Sequence, residues 1–254
     1  MRGAQPWIED RSGERSEREA ASWIRAMFGR VAHRYDLANH VLSFGIDYYW
    51  RAHTAKRLRH ILVRPEARVL DVCCGTGDLM LALERERPRQ GSCGVLGSDF
   101  CHPMLVSAHS KAEENGRAVR SALFEADALR LPLADASIDL LTAAFGFRNL
   151  ANYRTGLAEM RRVLRPGGTL AILEFSQPPN RAFAALYNFY SRRILPMIGG
   201  FLSGDRGAYT YLPESVKRFP DAASLAAEMS RAGFPRTDYE YLTGGIVALH
   251  LGWD

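Results

Sequence analysis

The stretch of sequence that decides the fold is Val69-Leu70-Asp71-Val72-Cys73-Cys74-Gly75-Thr76-Gly77-Asp78. It begins as a short apolar run, typical of a buried strand, and ends in a glycine turn that leads into amphipathic sequence. Glycine at positions 75 and 77 lets the backbone turn tightly and approach a ligand closely. Turns of this kind lie at the carboxyl edge of open parallel sheets, where such sheets bind ligands. The stretch therefore predicts the first strand of an α/β sheet with a ligand site at its end.

Beyond this stretch, short apolar runs alternate with amphipathic stretches, which indicates a Rossmann-like α/β fold with a mostly parallel sheet. Seven strands are predicted, at 68–74, 94–100, 119–126, 138–145, 169–175, 238–242 and 246–251. Helices are predicted at 78–87, 103–115, 153–164 and 222–232, the last capped by Asp221 and ended by Gly233. Thr243-Gly244-Gly245 is turn sequence between two alternating runs, so the last strand should be antiparallel to its neighbour.

The chain length and the extent of the α/β repeat predict the domain organisation. A chain of 254 residues can bury the core of one large domain. Residues 1–20 carry charges of both signs and are expected to form a disordered tail, with residues 21–254 forming a single domain. Two segments lie outside the repeat, a helical N-terminal cover at 21–62 and an aromatic-rich lid insertion at 178–220. Both are candidates for covering the ligand site.

The formal net charge of +5 is concentrated in one part of the sequence. Residues 161–217 hold eight basic and three acidic residues, a difference of +5, and the bases alternate with aromatic and aliphatic residues. This pattern favours an element that faces a membrane or covers a substrate over a nucleic-acid arm, and a solvated surface is the alternative. The four cysteines form no C-x-x-C pair, so neither disulfides nor a metal are expected. No apolar run is long enough to cross a bilayer. A cytoplasmic protein with peripheral contact at the inner face of the membrane is predicted, without a nucleic-acid partner.

Acidic residues at three predicted strand ends distinguish between the cofactors that such a sheet binds. A dinucleotide fingerprint needs a third glycine at position 80, which is Met80, and Asp71 would repel its pyrophosphate. Asp71 would instead attract the cationic amino group of S-adenosylmethionine. Asp99 lies where a carboxylate can bind both ribose hydroxyls, and Asp127-Ala128 would lie beside the adenine. Each acid alone could simply cap a helix. Together with the glycine turn they favour S-adenosylmethionine and the class I methyltransferase fold.

Several segments outside the glycine turn match one family. They are residues 35–50, Phe145-Gly146-Phe147-Arg148-Asn149, residues 162–168 with Glu174-Phe175-Ser176, residues 211–215 with Phe219-Pro220, Ala232-Gly233-Phe234 and residues 244–250. On these segments the chain resembles the bacterial quinone-biosynthesis C-methyltransferases, the family that makes menaquinone from demethylmenaquinone and methylates the ubiquinone ring. The resemblance covers the chain apart from the predicted tail.

The resemblance implies a function and a set of cofactor contacts. It implies S-adenosylmethionine-dependent C-methylation of a polyprenylated quinol, with demethylmenaquinol as the first choice of acceptor. The implied cofactor contacts are Thr76, Asp99, Asp127 with Ala128, and Ala144, where the family usually has Ser. The sequence also departs from the family at Asp47, where the family has His, and at Ala38, where it tends to have Met. A methyltransferase of another small aromatic molecule and an inactive cofactor-binding assembly factor are the alternatives, and a homodimer or a quinone-biosynthesis complex is left open.

Methylation of an aromatic carbon requires an electron-rich ring, which a quinol supplies once a hydroxyl ortho or para to the target carbon loses its proton. Arg148 and Asn149 follow the fourth strand at the ligand edge, and they are the predicted catalytic pair because they can stabilise the phenolate. Tyr35 is predicted to reach the quinol hydroxyls, with Asp36 and Asn39 closing over the acceptor. The alternatives are an ion pair between Arg148 and an acid at a helix end, and helix capping by Asp36 and Asn39.

Overall fold

The computed structural model describes residues 14–88, 93–116, 122–194 and 206–253, except for the side chains of 14–18, 31, 33–35, 38, 192, 194, 206–210 and 212. The helices are α1 (Glu14–Leu42), α2 (Ile46–Arg57), α3 (Arg59–Leu62), α4 (Asp78–Glu86), α5 (His102–Glu114), α6 (Tyr153–Val163), α7 (Arg181–Phe189), α8 (Arg206–Arg218) and α9 (Ala222–Arg231). The strands are β1 (Val69–Val72), β2 (Leu96–Asp99), β3 (Ala122–Glu125), β4 (Ile138–Ala144), β5 (Leu164–Phe175), β6 (Arg236–Leu242) and β7 (Val247–Trp253).

The seven strands form one sheet in the order β3-β2-β1-β4-β5-β7-β6. The five strands from β3 to β5 are parallel, and β7 is antiparallel to both β5 and β6. The predicted mostly parallel sheet with an antiparallel last strand is therefore confirmed. The strand order reverses between β1 and β4, and open sheets bind ligands at the carboxyl ends of strands at such a point.

Both faces of the sheet are covered, because successive side chains of a strand point to opposite faces. Val69 and Leu140 belong to a buried cluster that includes residues of α2, α3 and α4. Their neighbours Leu70 and Leu141 belong to a second cluster that includes residues of α6 and α9. The central strands are buried on both sides, which explains why they read as continuous apolar runs instead of alternating ones.

The helix ends follow the local sequence closely. The Asp221 carboxylate accepts a hydrogen bond from the backbone N–H of Ser224, as expected of the residue that caps α9. Asn152 caps α6 in the same way through the N–H of Thr155. The turn from Thr243 to Gly245 joins β6 to β7, so the predicted hairpin is confirmed.

Two boundaries differ from the sequence prediction by five residues or more, and others shift by one to three. Helix α1 begins at Glu14, so the predicted end of the tail at residue 20 falls inside a helix, whereas residues 1–13 lie outside the described residues. Strand β5 begins at Leu164 instead of residue 169, because Leu164 pairs with Ile138 before a register shift. The turn-forming residues Pro166-Gly167-Gly168 therefore form an irregularity inside β5. Among the described helices, none is both long and apolar enough to span a membrane.

Candidate active site

A cleft opens at the carboxyl ends of β1, β2 and β4 and holds about 1000 Å³ of empty space. We call it the cofactor cleft. Its position at the reversal of strand order is the one that ligands occupy in open parallel sheets. The predicted cofactor-binding residues that line it are Asp71, Gly75, Thr76, Asp99, Asp127, Ala128 and Ala144. The fold therefore brings together side chains that are far apart in the sequence.

The glycine turn under the cleft depends on backbone angles that glycine favours. The φ angle is 54° at Gly75 and 86° at Gly77. A Cβ atom at Gly77 would lie 3.2 Å from Met80 Cε and 3.3 Å from Ala108 Cβ. A larger residue there would be both strained and crowded. Gly77 immediately precedes α4 and is not among the residues that line the cleft, so it shapes the loop that places Gly75 and Thr76 there.

Asp71, on β1, has one free carboxylate oxygen. Its Oδ1 accepts a hydrogen bond of 2.7 Å from the Thr142 hydroxyl. Its Oδ2 is buried and has no hydrogen-bond partner among the described residues. Burial raises the pKa of Asp71 to about 7, although the hydrogen bond from Thr142, the nearby backbone N–H of Met80 and the charge of Arg51 limit the rise. A cationic group placed beside Oδ2 would favour the ionised carboxylate and satisfy the free oxygen.

Asp99, at the end of β2, is oriented by the backbone. Its Oδ2 accepts from the N–H of Gly75 and its Oδ1 from the N–H of Cys101, both at 2.9 Å. Burial raises the pKa of this carboxyl above its usual value, and these backbone hydrogen bonds act in the opposite direction. Each carboxylate oxygen can accept a further hydrogen bond. Asp99 can therefore bind two neighbouring hydroxyl groups of a ligand.

The remaining walls of the cleft are mostly apolar. Asp127 Oδ1 accepts a hydrogen bond from the N–H of Leu129, which fixes the loop that carries the buried Ala128. Ala144, at the end of β4, offers a methyl group and no hydroxyl. Beside it, Gly146 packs so closely on the loop after β1 that a Cβ atom would lie 2.5 Å from Cys73 Cβ. This end of the cleft is shaped for a flat apolar group.

Helix α1 is tied to the glycine turn by Asp36. The Thr76 hydroxyl donates a 2.5 Å hydrogen bond to Asp36, and Lys111 Nζ lies 2.6 Å from both Asp36 and Asp78. Asp36 was expected to close over the acceptor, but the structure places it at the cofactor cleft. Asn39, the other predicted closing residue, lines the cavity described next.

A second cavity lies beside the cofactor cleft and holds about 1420 Å³ of empty space. We call it the apolar pocket, because aromatic and aliphatic side chains of α2, β5, α7, the turn after α1, the loop after β4 and the last hairpin form most of its wall. These include Phe44, Trp50, Phe145, Phe175, Phe183, Leu186, Phe189 and Ile246. Arg51 and Phe145 line both the pocket and the cleft. The two cavities therefore meet at this pair of side chains.

Arg148, one of the predicted catalytic residues, lines the apolar pocket as part of a buried ion pair. Its Nη1 lies 2.8 Å from Glu174 Oε1, and the side chains are 4% and 0% exposed. The backbone N–H of Arg148 also donates to Glu174 at 3.1 Å, and its Nε donates to Ser215 Oγ at 3.3 Å. The acid that pairs with Arg148 thus comes from a strand, not from a helix end. Much of the charge of Arg148 is compensated by Glu174.

Asn149 and Tyr35 are the other two predicted catalytic residues. Asn149 lines the cofactor cleft, and its Oδ1 accepts a 3.0 Å hydrogen bond from the Tyr211 hydroxyl of α8. Arg148 and Asn149 therefore face different cavities, although they are neighbours in sequence. Tyr35 belongs to α1, but its side chain lies outside the described residues.

A cluster of charged groups surrounds Arg51 between α1, α2 and α4. Asp47 accepts hydrogen bonds from Ser43, at 2.6 Å, and from Arg51, and its Oδ2 lies 2.7 Å from His40 Nδ1. Burial would raise the pKa of Asp47, but Ser43, Arg51 and His40 together hold it below its usual value. His40, Asp47 and Asp78 lie close enough to hold a metal ion. The cations Arg51 and Lys111 already pair with the two carboxylates.

Sequence reasoning gave no individual role to four residues of the site. Arg51 and Tyr187 line a cavity. Lys111 and Glu174 each contact a residue that lines one, Thr76 and Arg148 respectively. Tyr187, on α7, lines the apolar pocket, and burial raises its pKa to about 12 although the charge of Arg148 lowers it. Arg51 directly follows the 35–50 segment, and Glu174 lies inside a matched segment. Their positions in these segments were the available signal. Their partners are distant in sequence, so the pairs could not be inferred.

Solved structures with a similar fold include S-adenosylmethionine-dependent methyltransferases. One from Thermotoga maritima has a TM-score of 0.62 at 17% identity, covering 90% of this chain and 98% of its own. One from Aquifex aeolicus has a TM-score of 0.53 at 18% identity, covering 79% and 97% of the respective chains. At these identities the similarity concerns the fold, and it confirms the predicted class I methyltransferase architecture.

Curated relatives are more similar in sequence. The demethylmenaquinone methyltransferase of Thermus thermophilus is 48% identical over 226 residues, covering 89% of this chain and 99% of the relative. The protein of the same name from Deinococcus radiodurans is 46% identical, covering 96% and 98%. The ubiquinone/menaquinone biosynthesis C-methyltransferase of Paracoccus denitrificans is 39% identical, covering 94% and 93%. The model of the ubiE/COQ5 methyltransferase family matches residues 14–254. On this match and these relatives, the chain belongs to the ubiE/COQ5 methyltransferase family.

Proposed function

We propose that this protein transfers a methyl group from S-adenosylmethionine to a ring carbon of a polyprenylated quinol, with demethylmenaquinol as the preferred acceptor. The observation that carries the proposal is that an apolar pocket meets the cofactor cleft at Arg51 and Phe145. An aromatic headgroup can then lie against the cofactor while an apolar tail stays in the pocket. The names of the Thermus and Deinococcus relatives support demethylmenaquinol as the acceptor.

The cofactor supplies a methyl group bound to a positively charged sulfur. We assign its amino group to the free Oδ2 of Asp71 and its ribose hydroxyls to Asp99. Gly75 and Thr76 would contact the methionine part, Asp127 and Ala128 would lie beside the adenine, and Ala144 would line the cleft nearby. The cleft fits these groups, because the buried Oδ2 of Asp71 has no hydrogen-bond partner and can accept from a cationic amino group.

The transfer needs a deprotonated quinol hydroxyl next to the reacting carbon. That carbon attacks the methyl group, and the sulfur–methyl bond breaks with its electron pair left on sulfur. The resulting dienone loses the proton from the methylated carbon while its oxygen regains one. One proton is released overall and the quinol is restored. The protein's part is to orient the ring, exclude water and stabilise the phenolate.

The test is anaerobic incubation of the purified protein with S-adenosylmethionine and one of two acceptors. Reduced demethylmenaquinol should gain one methyl group on ring carbon, read by mass spectrometry and NMR. A methoxy-polyprenyl-benzoquinol offered in parallel decides between a naphthoquinol and a benzoquinol acceptor. Measurable cofactor binding without a methyl gain on either quinol would refute the proposed acceptor class.

We also propose that the mouth of the apolar pocket rests on a membrane that holds the quinol. Exposed apolar side chains surround this mouth, and Phe44 is 77% exposed at the tip of the turn after α1. Leu186 and Phe189 of α7 are exposed beside it, and Leu37 and Val41 extend the patch along α1. The segment from 177 to 194 carries three arginines and no acid, which suits an anionic lipid surface.

Vesicle flotation tests this membrane proposal. Vesicles with anionic lipid should retain the protein, and neutral vesicles should retain less. The variant Leu37→Ser/Val41→Ser should weaken retention by about tenfold, because roughly 1 to 2 kcal/mol of apolar contact is lost. The variant Val63→Ser/Val106→Ser, at two exposed positions outside the pocket lining, serves as the matched control. Equal retention of all variants, with activity on membrane-bound quinol intact, would contradict the proposal.

A further inference from the structure

We infer that Arg51 is the group that binds the quinolate oxygen next to the methylated carbon, and that Asp47 positions Arg51 for this task. The inference rests on the proposed function and names a catalytic residue for it. It differs from the sequence prediction, which assigned the oxyanion to Arg148 and Asn149.

The argument begins from where the two cavities meet. The reacting carbon must lie about 3 to 3.5 Å from the methyl group, so it occupies the junction of the cleft and the pocket. A hydroxyl ortho to that carbon lies equally close to the junction. Among the described residues, Arg51 and Phe145 are the two that line both cavities. Of these, Arg51 has the positive charge that an oxyanion requires.

The position of Arg51 is fixed by its neighbours. Its guanidinium lies 5.4 Å from the centre of the Phe145 ring, which is a cation–π distance. Its Nη1 donates to Asp47, and its Nη2 lies 3.5 Å from Asp78. The side chain is 11% exposed. A guanidinium has five N–H donors, so these two contacts leave donors for a ligand oxygen.

The contacts of Arg51 are shared among more groups than those of Arg148. Asp47 is shared with His40 at 2.7 Å, and Asp78 is shared with Lys111 at 2.6 Å. Each carboxylate near Arg51 therefore has a second basic partner. In the pair with Arg148, by contrast, Glu174 is fully buried and bonded to both the side chain and the backbone of that arginine. A phenolate oxygen can take over part of the shared contacts of Arg51, whereas Arg148 would have to leave a carboxylate that is fully buried with it.

Asp47 acts through Arg51. It lies on the same helix one turn earlier, is 4% exposed and lines the apolar pocket. The Ser43 hydroxyl and His40 hold it in place. Removing its charge would release the guanidinium without removing it from the junction. Asp47 is therefore a positioning residue, and its loss should have a smaller effect than the loss of Arg51.

The experiment measures the ionisation of a bound phenol as well as turnover. The probe is 3-prenyl-1-naphthol, whose phenol and phenolate forms absorb at different wavelengths, bound to protein saturated with S-adenosylhomocysteine. The wild-type protein should lower the pKa of the bound naphthol by about 1 unit or more. Arg51→Gln should abolish this shift and lower kcat for demethylmenaquinol by about 100-fold. Asp47→Asn should abolish part of the shift and lower kcat by about tenfold.

Matched variants separate this role from a general loss of structure. Arg57→Gln, on the same helix and 48% exposed, should leave the naphthol pKa and kcat unchanged. If Arg51→Gln does not fold, the double variant Arg51→Gln/Asp47→Asn removes both charges and is measured instead. Arg51→Lys keeps a charge and should retain part of the shift.

The outcomes are distinguishable. An unchanged naphthol pKa and kcat in Arg51→Gln would overturn the inference. So would a naphthol pKa shift that is lost in Arg148→Lys but kept in Arg51→Gln. If the wild-type protein binds the naphthol with a lowered pKa that depends on Arg51, but methylates neither quinol, then the assignment of Arg51 holds as a phenolate site while the proposed acceptor is wrong.

Discussion

The cofactor cleft and the apolar pocket share a boundary but are assembled differently. The cleft takes its polar groups from consecutive strand ends, at Asp71, Asp99 and Asp127. The pocket takes its walls from α1 and α2, from β5 and the loop after β4, from α7 and from the last hairpin. A strand end is fixed by its hydrogen bonds to neighbouring strands. A pocket between helices depends on how those helices pack, so a change of sequence in any one of them can alter it.

The polar groups of the two cavities also differ in how they are satisfied. In the cleft, Asp71 keeps a free oxygen and Asp99 is held by backbone N–H groups, which leaves both carboxylates able to bind a ligand. Around the pocket, Arg148 is matched to Glu174 and Asp47 to three donors. The cleft is prepared to bind polar groups. The pocket instead uses its charges mainly to hold its own walls.

The largest effect is expected from breaking the buried pair in the pocket wall. Arg148→Met should lower the free energy of unfolding by about 3 to 5 kcal/mol, because Glu174 is left buried without its cation. The measurement is urea denaturation followed by circular dichroism. The double variant Arg148→Met/Glu174→Leu should recover most of the loss. If the single variant is as stable as the wild type, the pair does not hold the pocket wall.

A smaller effect is expected from the cleft. Asp99→Ala should raise the Kd for S-adenosylmethionine by about 100-fold, since two hydrogen bonds from the cofactor to a charged group are lost. Isothermal titration calorimetry measures this directly. The matched control is Asp238→Ala. Asp238 is exposed on the edge strand β6 and is not among the cleft residues. A change below threefold for Asp99→Ala would show that the ribose is bound elsewhere.

The pH dependence of cofactor binding tests the free oxygen of Asp71. Before the cofactor binds, the pKa of Asp71 is raised to about 7. The carboxyl is therefore protonated below that pH and cannot pair with a cation. Binding of S-adenosylmethionine should therefore weaken by up to about tenfold per pH unit below pH 7 and level off above it. Asp71→Asn should flatten this dependence and bind as weakly at pH 8 as the wild type does at acidic pH. A wild-type affinity that is constant from pH 5.5 to 8 would contradict this assignment.

The raised pKa of Asp71 also makes the stability of the protein without cofactor depend on pH. A group whose pKa is higher in the folded than in the unfolded state stabilises the fold at low pH, and this contribution disappears as the pH rises through the folded pKa. For Asp71 the loss falls between about pH 4 and 7. The bound cofactor should offset this loss of stability, because its cationic group favours the ionised Asp71. The increase in Tm on adding S-adenosylmethionine should therefore be greater at pH 8 than at pH 6.

The smallest effect is expected where α1 covers the cleft. Asp36→Ala removes the acceptor of the Thr76 hydroxyl and one partner of Lys111, which keeps its contact with Asp78. The Kd for the cofactor should rise by about fivefold, equivalent to roughly 1 kcal/mol for a partly exposed pair. Calorimetry again provides the measurement. An effect as large as that of Asp99→Ala would show that the cover contributes as much as the strand ends.

Sequence reasoning predicted the cleft well because its parts are local. An apolar run, a glycine turn and a following helix define the end of β1, and an aspartate at or just after each of β2 and β3 marks their ends. The carboxyl ends of parallel strands meet at one edge of a sheet. Asp71, Gly75, Thr76, Asp99, Asp127 and Ala128 could therefore be grouped without knowing the sheet order, and the family resemblance added Ala144. Their contacts with the cofactor stay a prediction. The start of α1 at Glu14 was not predicted, because mixed charges give no marked helix start. The register shift in β5 was not predicted, because Pro166-Gly167-Gly168 indicates a turn before a strand as readily as an irregularity inside one.

The sequence by itself determined the seven strands, the hairpin, the glycine turn and the family segments, since each depends on residues close together in the chain. Only the tertiary structure decided that Arg148 would pair with Glu174, that Asn149 would face the other cavity, and that Arg51 would lie where the two cavities meet. The physical reason is that charge compensation depends on distances in space. Two arginines with the same chemistry have different surroundings, because one is buried against a single carboxylate while the other lies between two shared ones.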